Sequence, residues 1–299
     1  MEIDRSTKTY LITGATSGIG LAAAGILASQ GAAVIGVGRS AERCREAEKT
    51  LRQAAPQAQA NLLVADLGVQ REVIRLARDV RDVLTAQGKH HLDGLLNNAG
   101  TFTYWFTQSP DGIEMQWAVN HLAPFLLTHH LLPLLQAAPQ ARVVTVSSDS
   151  HYAGRINWDD PQLRRRYNGL RAYENTKLAN VLFTLELNRR LVSGSSSVRA
   201  FAADPGLVKT DMGFKGTPAI VRWIWKLRRS GGISPEESAR GVVTLLIEPA
   251  IHDSTEIYWK HGQPKRASRR AYDHEAAYRL WELSARMCAL PQEAFDAAA

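Results

Sequence analysis

Tyr173 and Lys177 stand four positions apart in "RAYENTKLANVLF" (171–183), where apolar residues recur at helical spacing. On a helix the two side chains share one face, a turn apart. A free phenol titrates at about 10, too high for efficient proton exchange at neutral pH. An ammonium one turn away favours the phenolate, so the spacing predicts a Tyr173 drawn down toward working pH. Such a pair can give a proton to a developing alkoxide or take one from an alcohol. Tyr-x-x-x-Lys also arises by chance in any longer chain, so the pair has to be judged by its company.

A second candidate lies near the chain start, where "TGATSGIG" (13–20) follows the apolar run "TYLIT" and opens a helical pattern. Gly14, Gly18 and Gly20 leave room for backbone to approach a pyrophosphate, whose charge suits a helix N-terminus. Ser17 and Ile19 stand in the same loop and are taken with them as cofactor-binding. Glycine-rich turns that bind nothing are common; the position directly after a strand is what favours binding. The spacing is Gly-x-x-x-Gly-x-Gly, not the commoner Gly-x-Gly-x-x-Gly. Further on, "AVIGVGRS" ends in Gly38 and Arg39 with no acid. An NAD site usually has Asp or Glu there for the ribose hydroxyls. A carboxylate repels a 2′-phosphate, whereas a guanidinium can bind it with two prongs. Arg39 therefore favours NADP(H), the alternative being a solvated loop residue.

The elements that must position these residues are legible as alternating runs. "TYLITGA", "AVIGVG", "NLLVADL", "LDGLLNNAG", "ARVVTVSS" and "VRAFAADPG" read as six strands. Helical patterns lie between them: "GIGLAAAGILASQGA", "SAERCREAEKTLRQAA" with a capping serine, residues 70 to 87, residues 111 to 136, and the segment carrying Tyr173. Continuous Val/Ile/Leu strands alternating with helices imply βαβ units. The expected fold class is α/β, a doubly wound Rossmann-type parallel sheet with helices on both faces. No linker or internal repeat divides the chain, so 1–299 is expected to be one domain, with 211–235 left open as a lid or substrate segment.

Composition narrows the classes further. The 299 residues are 22% charged and 45% hydrophobic, which suits a globular protein with a substantial core. No apolar run approaches the roughly 20 residues of a membrane span. "MEIDRSTKTY" lacks the pattern of a signal peptide. Cys44 and Cys288 have no redox or zinc spacing, and a reducing cytoplasm is expected. The formal charge is +7 and the pI about 9.5. The basic residues scatter among acids, with clusters at Arg164–Arg166, Lys226–Arg229 and Lys265–Arg270, so nucleic-acid binding is not expected. An anionic cofactor or weak contact with an anionic membrane surface accounts for the excess. His121, His129, His130 and His151 lack acidic or Cys partners at ligand spacing, and no metal is expected.

Together the motifs resemble the short-chain dehydrogenase/reductase family. They are "TGATSGIG", "ADL" (65–67), "NNAG" (97–100), Asn120 in "AVNHLAPFLLT", "VSS" (146–148), "YENTK" (173–177) and "DPGLVKT" (204–210). All stand in the family's order and cover most of the chain. The resemblance narrows toward retinol dehydrogenases and the related WW-domain oxidoreductase. It is carried there by the insertion "SDSHYAGRINWDDPQLRRRYNGLRAY", by "SPEESA" and by the tail "RAYDHEAAYRLWELS". The chain departs from that branch in showing no N-terminal anchor or WW domain, and in carrying Asp204 where His or Asn is more usual.

The resemblance implies roles. Tyr173 is the expected general acid in reduction and general base in oxidation, tuned by Lys177, which also meets the nicotinamide ribose. Ser148 orients or polarises the carbonyl, and Asn120 supports a water-linked proton path. Asp66 and Leu67 meet the adenine, Asn98, Ala99 and Gly100 line the cofactor cleft, and Val208 and Thr210 face the carboxamide. Asn98 could instead only stabilise its turn, and Asp66 could be a surface acid. Aromatic runs in "TFTYWF" and "HYAGRINW", with Trp223 and Trp225 before Lys226, Arg228 and Arg229, point to a small hydrophobic ketone, aldehyde or alcohol. The stretch 217–229 reads as a lid, an interfacial helix or plain packing. The expected activity is NADP(H)-dependent hydride transfer by a carbonyl reductase or alcohol dehydrogenase. Rival readings are a non-catalytic NADP(H)-binding regulator and a membrane-peripheral lipid-binding protein; self-association is left open.

Overall fold

The computed structural model describes residues 6–208 and 232–291. Six apolar runs form β1 (Thr9–Thr13), β2 (Ala33–Gly38), β3 (Ala60–Val64), β4 (Gly94–Asn97), β5 (Arg142–Val146) and β6 (Arg199–Asp204). Two more strands, β7 (Tyr258–Lys260) and β8 (Gln263–Pro264), extend the sheet beyond the sequence expectation. The order is β3-β2-β1-β4-β5-β6-β7-β8, with β1 to β7 parallel and β8 antiparallel at the edge. The order reverses between β1 and β4. In an open α/β sheet the crevice beyond the strand C-termini at that point is where ligands bind.

Helices cover both faces. On one side α1 (Gly18–Ser29) packs against α7 (Pro235–Ile247), and Leu51 of α2 (Ala41–Ala54) joins their core. On the other lie α3 (Gln70–Ala86), α5 (Ala123–Gln136), α6 (Gly169–Ser193) and α8 (His274–Met287). Alternate strand residues feed the two cores: Leu11, Leu95 and Val143 one, Tyr10, Leu96 and Val144 the other. This double burial is why the strands read as unbroken apolar runs.

Two differences from expectation have local causes. The segment expected to be helical over 111–136 begins only at α4 (Met115–Trp117). It then widens into a π-helical turn, Ala118–Leu122, before α5. Such a turn inserts a residue into the helical ladder, often at a functional site. Capping follows the sequence: Ser40 Oγ accepts from Arg43 N at the start of α2, and Asn168 Oδ1 from Arg171 N at 3.0 Å at the start of α6. None of the described helices is long and apolar enough to cross a membrane. Trp223, Trp225, Lys226, Arg228, Arg229 and nearly all of the 211–235 segment lie outside the described residues.

Candidate active site

The glycine loop is shaped by close approach to the turn after β4. Gly14 adopts φ 69°, and a Cβ on it would lie 2.9 Å from Asn98 Nδ2 and 3.1 Å from Ala99 Cα. Asn98 Nδ2 donates to Thr13 O at 2.8 Å, while the Asn98 and Ala99 amides donate to Thr13 Oγ1 at 2.9 and 3.0 Å. Asn98 thus staples its turn to the loop, and Thr13 is a partner that sequence reasoning missed. A Cβ on Gly20 would overlap Gly14 O. Ser17 leads into α1 without a side-chain cap, so the first amides of α1, at Gly18, Ile19 and Gly20, keep no cap from it. A glycine cradle ending in such a helix start fits a dinucleotide pyrophosphate.

The end of β2 lies beside it. A Cβ on Gly38 would overlap Thr16 Cγ2 and lie 2.7 Å from Cys44 Sγ, so only glycine lets β2 end tight against the loop. Arg39 follows immediately and is exposed. The Ala65 amide donates to Gly38 O at 2.9 Å, which brings Asp66 and Leu67 to the same edge, both half-buried. Asp66 Oδ1 accepts from Gly68 N at 2.9 Å, and its own amide donates to Glu72 Oε2 at 2.8 Å.

The residues expected to handle the proton lie beyond β4 and β5. Asn120 sits in the π-turn and is buried; its Oδ1 accepts from Thr101 N at 2.7 Å, and its Nδ2 donates to Thr101 O at 2.9 Å and Thr176 Oγ1 at 3.2 Å. Thr176 Oγ1 in turn donates to Tyr173 O at 2.8 Å, tying the turn to α6. A Cβ on Gly100 would lie 3.5 Å from Asn120 Oδ1 and 3.9 Å from Lys177 Nζ. Ser148 Oγ donates to Ser150 Oγ at 3.3 Å, and its side chain draws the Tyr173 phenol downward. His151 Nε2 accepts from Ser268 N at 2.9 Å, so Nδ1 carries the proton and donates to Ser148 O at 2.8 Å. Val208 is half-buried and bridges to Ile233; Thr210 lies outside the described residues.

The lysine does not act on the tyrosine as the spacing predicted. Lys177 Nζ lies 5.3 Å from the Tyr173 ring centroid and donates to Val146 O at 3.0 Å. Burial, then the carboxyl of Asp204, push the Tyr173 phenol upward, with the Ser148 side chain opposing them. Helical spacing fixes nearness but neither the aim of the ammonium nor the dryness of the pocket. Lys177, only 4% exposed, is itself pushed down to about 8 by burial, against the pull of Asp204. Between that value and the ordinary 10.5 the unfolded chain binds a proton that the folded chain does not, so stability rises with pH there. Below that window the cost of the buried ammonium is present in full. Lys177→Met is expected to raise the melting temperature by a few degrees near neutral pH, the gain shrinking above the window, as calorimetry across pH would show. Val146 O keeps Asn180 Nδ2 as a donor at 3.1 Å, so the substitution orphans no carbonyl.

The aromatic wall is anchored by a buried polar network. Thr103 Oγ1 and Tyr167 OH lie 2.9 Å apart, and Gln116 Nε2 donates to Tyr167 OH at 2.9 Å and Gly169 O at 3.0 Å. Tyr167 OH donates to Glu114 Oε1 at 2.8 Å. These bonds join the "TFTYWF" loop to the insertion before α6 and leave Trp105 63% exposed. Phe102 meets the Tyr173 ring edge-on at 6.0 Å. The other histidines take structural places: His121 is buried with Nε2 2.8 Å from Ser284 Oγ, and the His129 and His130 rings pack at 5.0 Å.

A glycine cradle at the sheet's switch point and a Ser, Tyr and Lys cluster beyond β4 and β5 define a dinucleotide-dependent oxidoreductase of the short-chain type. A family model described as short chain dehydrogenase matches residues 8–218, and the chain belongs to that family, whose members use NAD(P)(H). It is 36% identical to retinol dehydrogenase 14 of Mus musculus, across 93% of this chain and 84% of that one. With retinol dehydrogenase 13 of Homo sapiens the identity is 35%, across 95% and 85%. Among solved structures, an uncharacterized protein from Mycobacterium paratuberculosis superposes with a TM-score of 0.70, at 33% identity over 95% of this chain and 94% of that one. The angucycline C-6 ketoreductase LanV, with bound NADP, gives 0.68 at 25% identity, over 86% and 95%. The chain is a retinol dehydrogenase-like oxidoreductase of the family.

Proposed function

We propose that the protein is an NADP(H)-dependent oxidoreductase that interconverts a hydrophobic ketone or aldehyde and its alcohol. The observation that carries this reading is the gathering of Asn120 and Lys177 about Gly100, with Thr176 linking Asn120 to Tyr173 and Ser148 beside the Tyr173 phenol. Next to them lies the turn whose Asn98 and Ala99 bond Thr13 at the start of the glycine cradle. When bound, the nicotinamide cofactor supplies or accepts hydride at the carbonyl carbon. Gly14, Ser17, Gly18, Ile19 and Gly20 hold its phosphates, Asp66 and Leu67 its adenine, Asn98, Ala99 and Gly100 its inner cleft, and Val208 and Thr210 its carboxamide. Tyr173 gives its proton to the substrate oxygen in reduction and recovers one in oxidation. Ser148, whose side chain acts on the Tyr173 phenol, orients the same oxygen. A phenol held high by burial suits the acid role in particular. Lys177 meets the nicotinamide ribose, and Asn120, tied to α6 through Thr176, supports the path by which the proton is replaced. The retinol named in the relatives is an apolar alcohol, which agrees with the aromatic wall of this chain.

Arg39, exposed at the end of β2 where an acid would favour NAD, supports the NADP(H) preference. Arg39→Ala is expected to weaken NADPH binding by about 10- to 100-fold, the loss of one charge-assisted pair. NADH binding is expected to stay as it was. Fluorescence titration with both cofactors measures the split; equal weakening of the two would count against the assignment. The activity itself is tested by NADPH consumption over a panel of apolar ketones and aldehydes. Tight binding with turnover supports the reading, and binding without turnover of any member counts against it.

A further inference from the structure

Behind Ser148 lies a cluster of charge that the chemistry above does not use. Asp204 closes β6, 3% exposed, with Oδ1 accepting from Gly206 N at 2.9 Å. Among the described residues its Oδ2 has no hydrogen-bond donor; the ammonium of Lys260 lies 3.3 Å away, on the residue paired with Asp204 across the β6–β7 ladder. Lys260 also binds Asp149, the residue directly after Ser148. Asp149 accepts further from Lys265 Nζ at 2.6 Å and Tyr258 OH at 3.2 Å, so three groups of the β7–β8 hairpin hold it. Tyr258 in turn packs its ring 4.5 Å from His151, whose Nδ1 holds Ser148 O. The Ser147 amide donates to Ala203 O at 2.7 Å, which sets the end of β5 against the end of β6. A Cβ on Gly206 would overlap the His261 ring, so the hairpin turn also braces the loop after Asp204.

We propose that Asp204 is a positioning residue for the Tyr173 centre. Through the shared Lys260 it locks Asp149, and with it Ser148, to the end of β6, and its carboxylate sets the charge facing Tyr173 and Lys177. Among the described residues, the titratable and charged groups around it are Asp149 and His151 from the turn after β5, Tyr173 and Lys177 from α6, and Tyr258, Lys260 and Lys265 from the hairpin. Asp149, with its three donors, ionises first; burial and the neighbouring Asp149 hold Asp204 back, so its charge arrives second as pH rises. That second charge favours the Lys177 ammonium and disfavours a Tyr173 phenolate, which keeps Tyr173 loaded as an acid. The consequence for direction rests on the oxidoreductase reading: reduction persists to higher pH, and alcohol oxidation requires more alkaline conditions.

The test is the ionisation midpoint of Lys177 in the full-length chain, read from the Cε resonance of carbon-13 lysine and assigned with Lys177→Met. Asp204→Asn keeps an acceptor for Gly206 N but carries no charge, and is expected to lower the midpoint by about one pH unit. Asp204→Ser removes the charge by a different route and is expected to shift it the same way, so a fold lost in one variant leaves the other to decide. In both, the pH profile of alcohol oxidation is expected to move to lower pH with the midpoint. A merely structural Asp204 would lower the melting temperature and leave the Lys177 midpoint in place, which overturns the proposal. If the parent chain turns over no substrate, the oxidoreductase reading fails, while the lysine titration still decides the role of Asp204.

Discussion

Tyr173→Phe is expected to bind NADPH as the parent chain does while turnover falls by about 10²- to 10⁴-fold, the usual contribution of a positioned acid. The substitution removes one oxygen and little else. The edge-on contact with Phe102 at 6.0 Å and the Lys177 ammonium 5.3 Å from the ring centroid involve the ring, which remains. Ser148 keeps Ser150 as its hydrogen-bond partner. A fall in turnover at unchanged cofactor affinity and unchanged melting temperature therefore isolates proton transfer. Steady-state kinetics beside NADPH titration make the measurement, and full turnover in the variant would sink the acid–base role. Lys177→Met makes a useful contrast. It too is expected to lose activity, but with a cofactor affinity that also falls, because its ammonium is assigned to the nicotinamide ribose.

The fold was legible wherever one physical signal dominated. β1 to β6 are buried on both faces, so each reads as a continuous apolar run, and Ser40 caps α2 as its side chain suggests. β7 and β8 were not legible. "YWK" and "QP" are too short to carry a period and become strands only because β6 offers an edge to pair with. The π-turn at Ala118–Leu122 was hidden for a similar reason: its residues are ordinary helix formers, and what it serves, the Asn120 bonds to Thr101 and Thr176, is tertiary. In the site, residue types and order showed which side chains gather. The direction of the Tyr173 shift was misjudged because it depends on desolvation and on Asp204, 31 positions away in the chain. Asp204 itself was visible only as an oddity. Its partner Lys260, and Lys265 that joins Lys260 on Asp149, lie on a hairpin that the sequence did not announce.

The cradle gives the other large effect, with a control built into the same helix. Gly20→Ala is expected to abolish NADPH binding and lower the melting temperature by several degrees. The new Cβ would overlap Gly14 O and lie 2.6 Å from Asn98 Nδ2. Neither can yield cheaply, since the first is backbone and the second is fixed by its bond to Thr13 O. α1 must then shift away from the turn after β4, at an overpacking cost of roughly 1–3 kcal/mol, and the amides at its start lose their aim. Gly25 lies five residues further along α1, where a Cβ would meet only Leu51 Cδ2, at 3.9 Å. Gly25→Ala is therefore expected to stabilise the protein by up to about 1 kcal/mol through helix propensity, with cofactor affinity unchanged. Opposite signs from one methyl group at two sites of a single helix separate close approach from helix propensity. Thermal unfolding and NADPH titration of both variants read the two effects, and a Gly20→Ala protein that melts and binds like the parent would remove the cradle from the cofactor site.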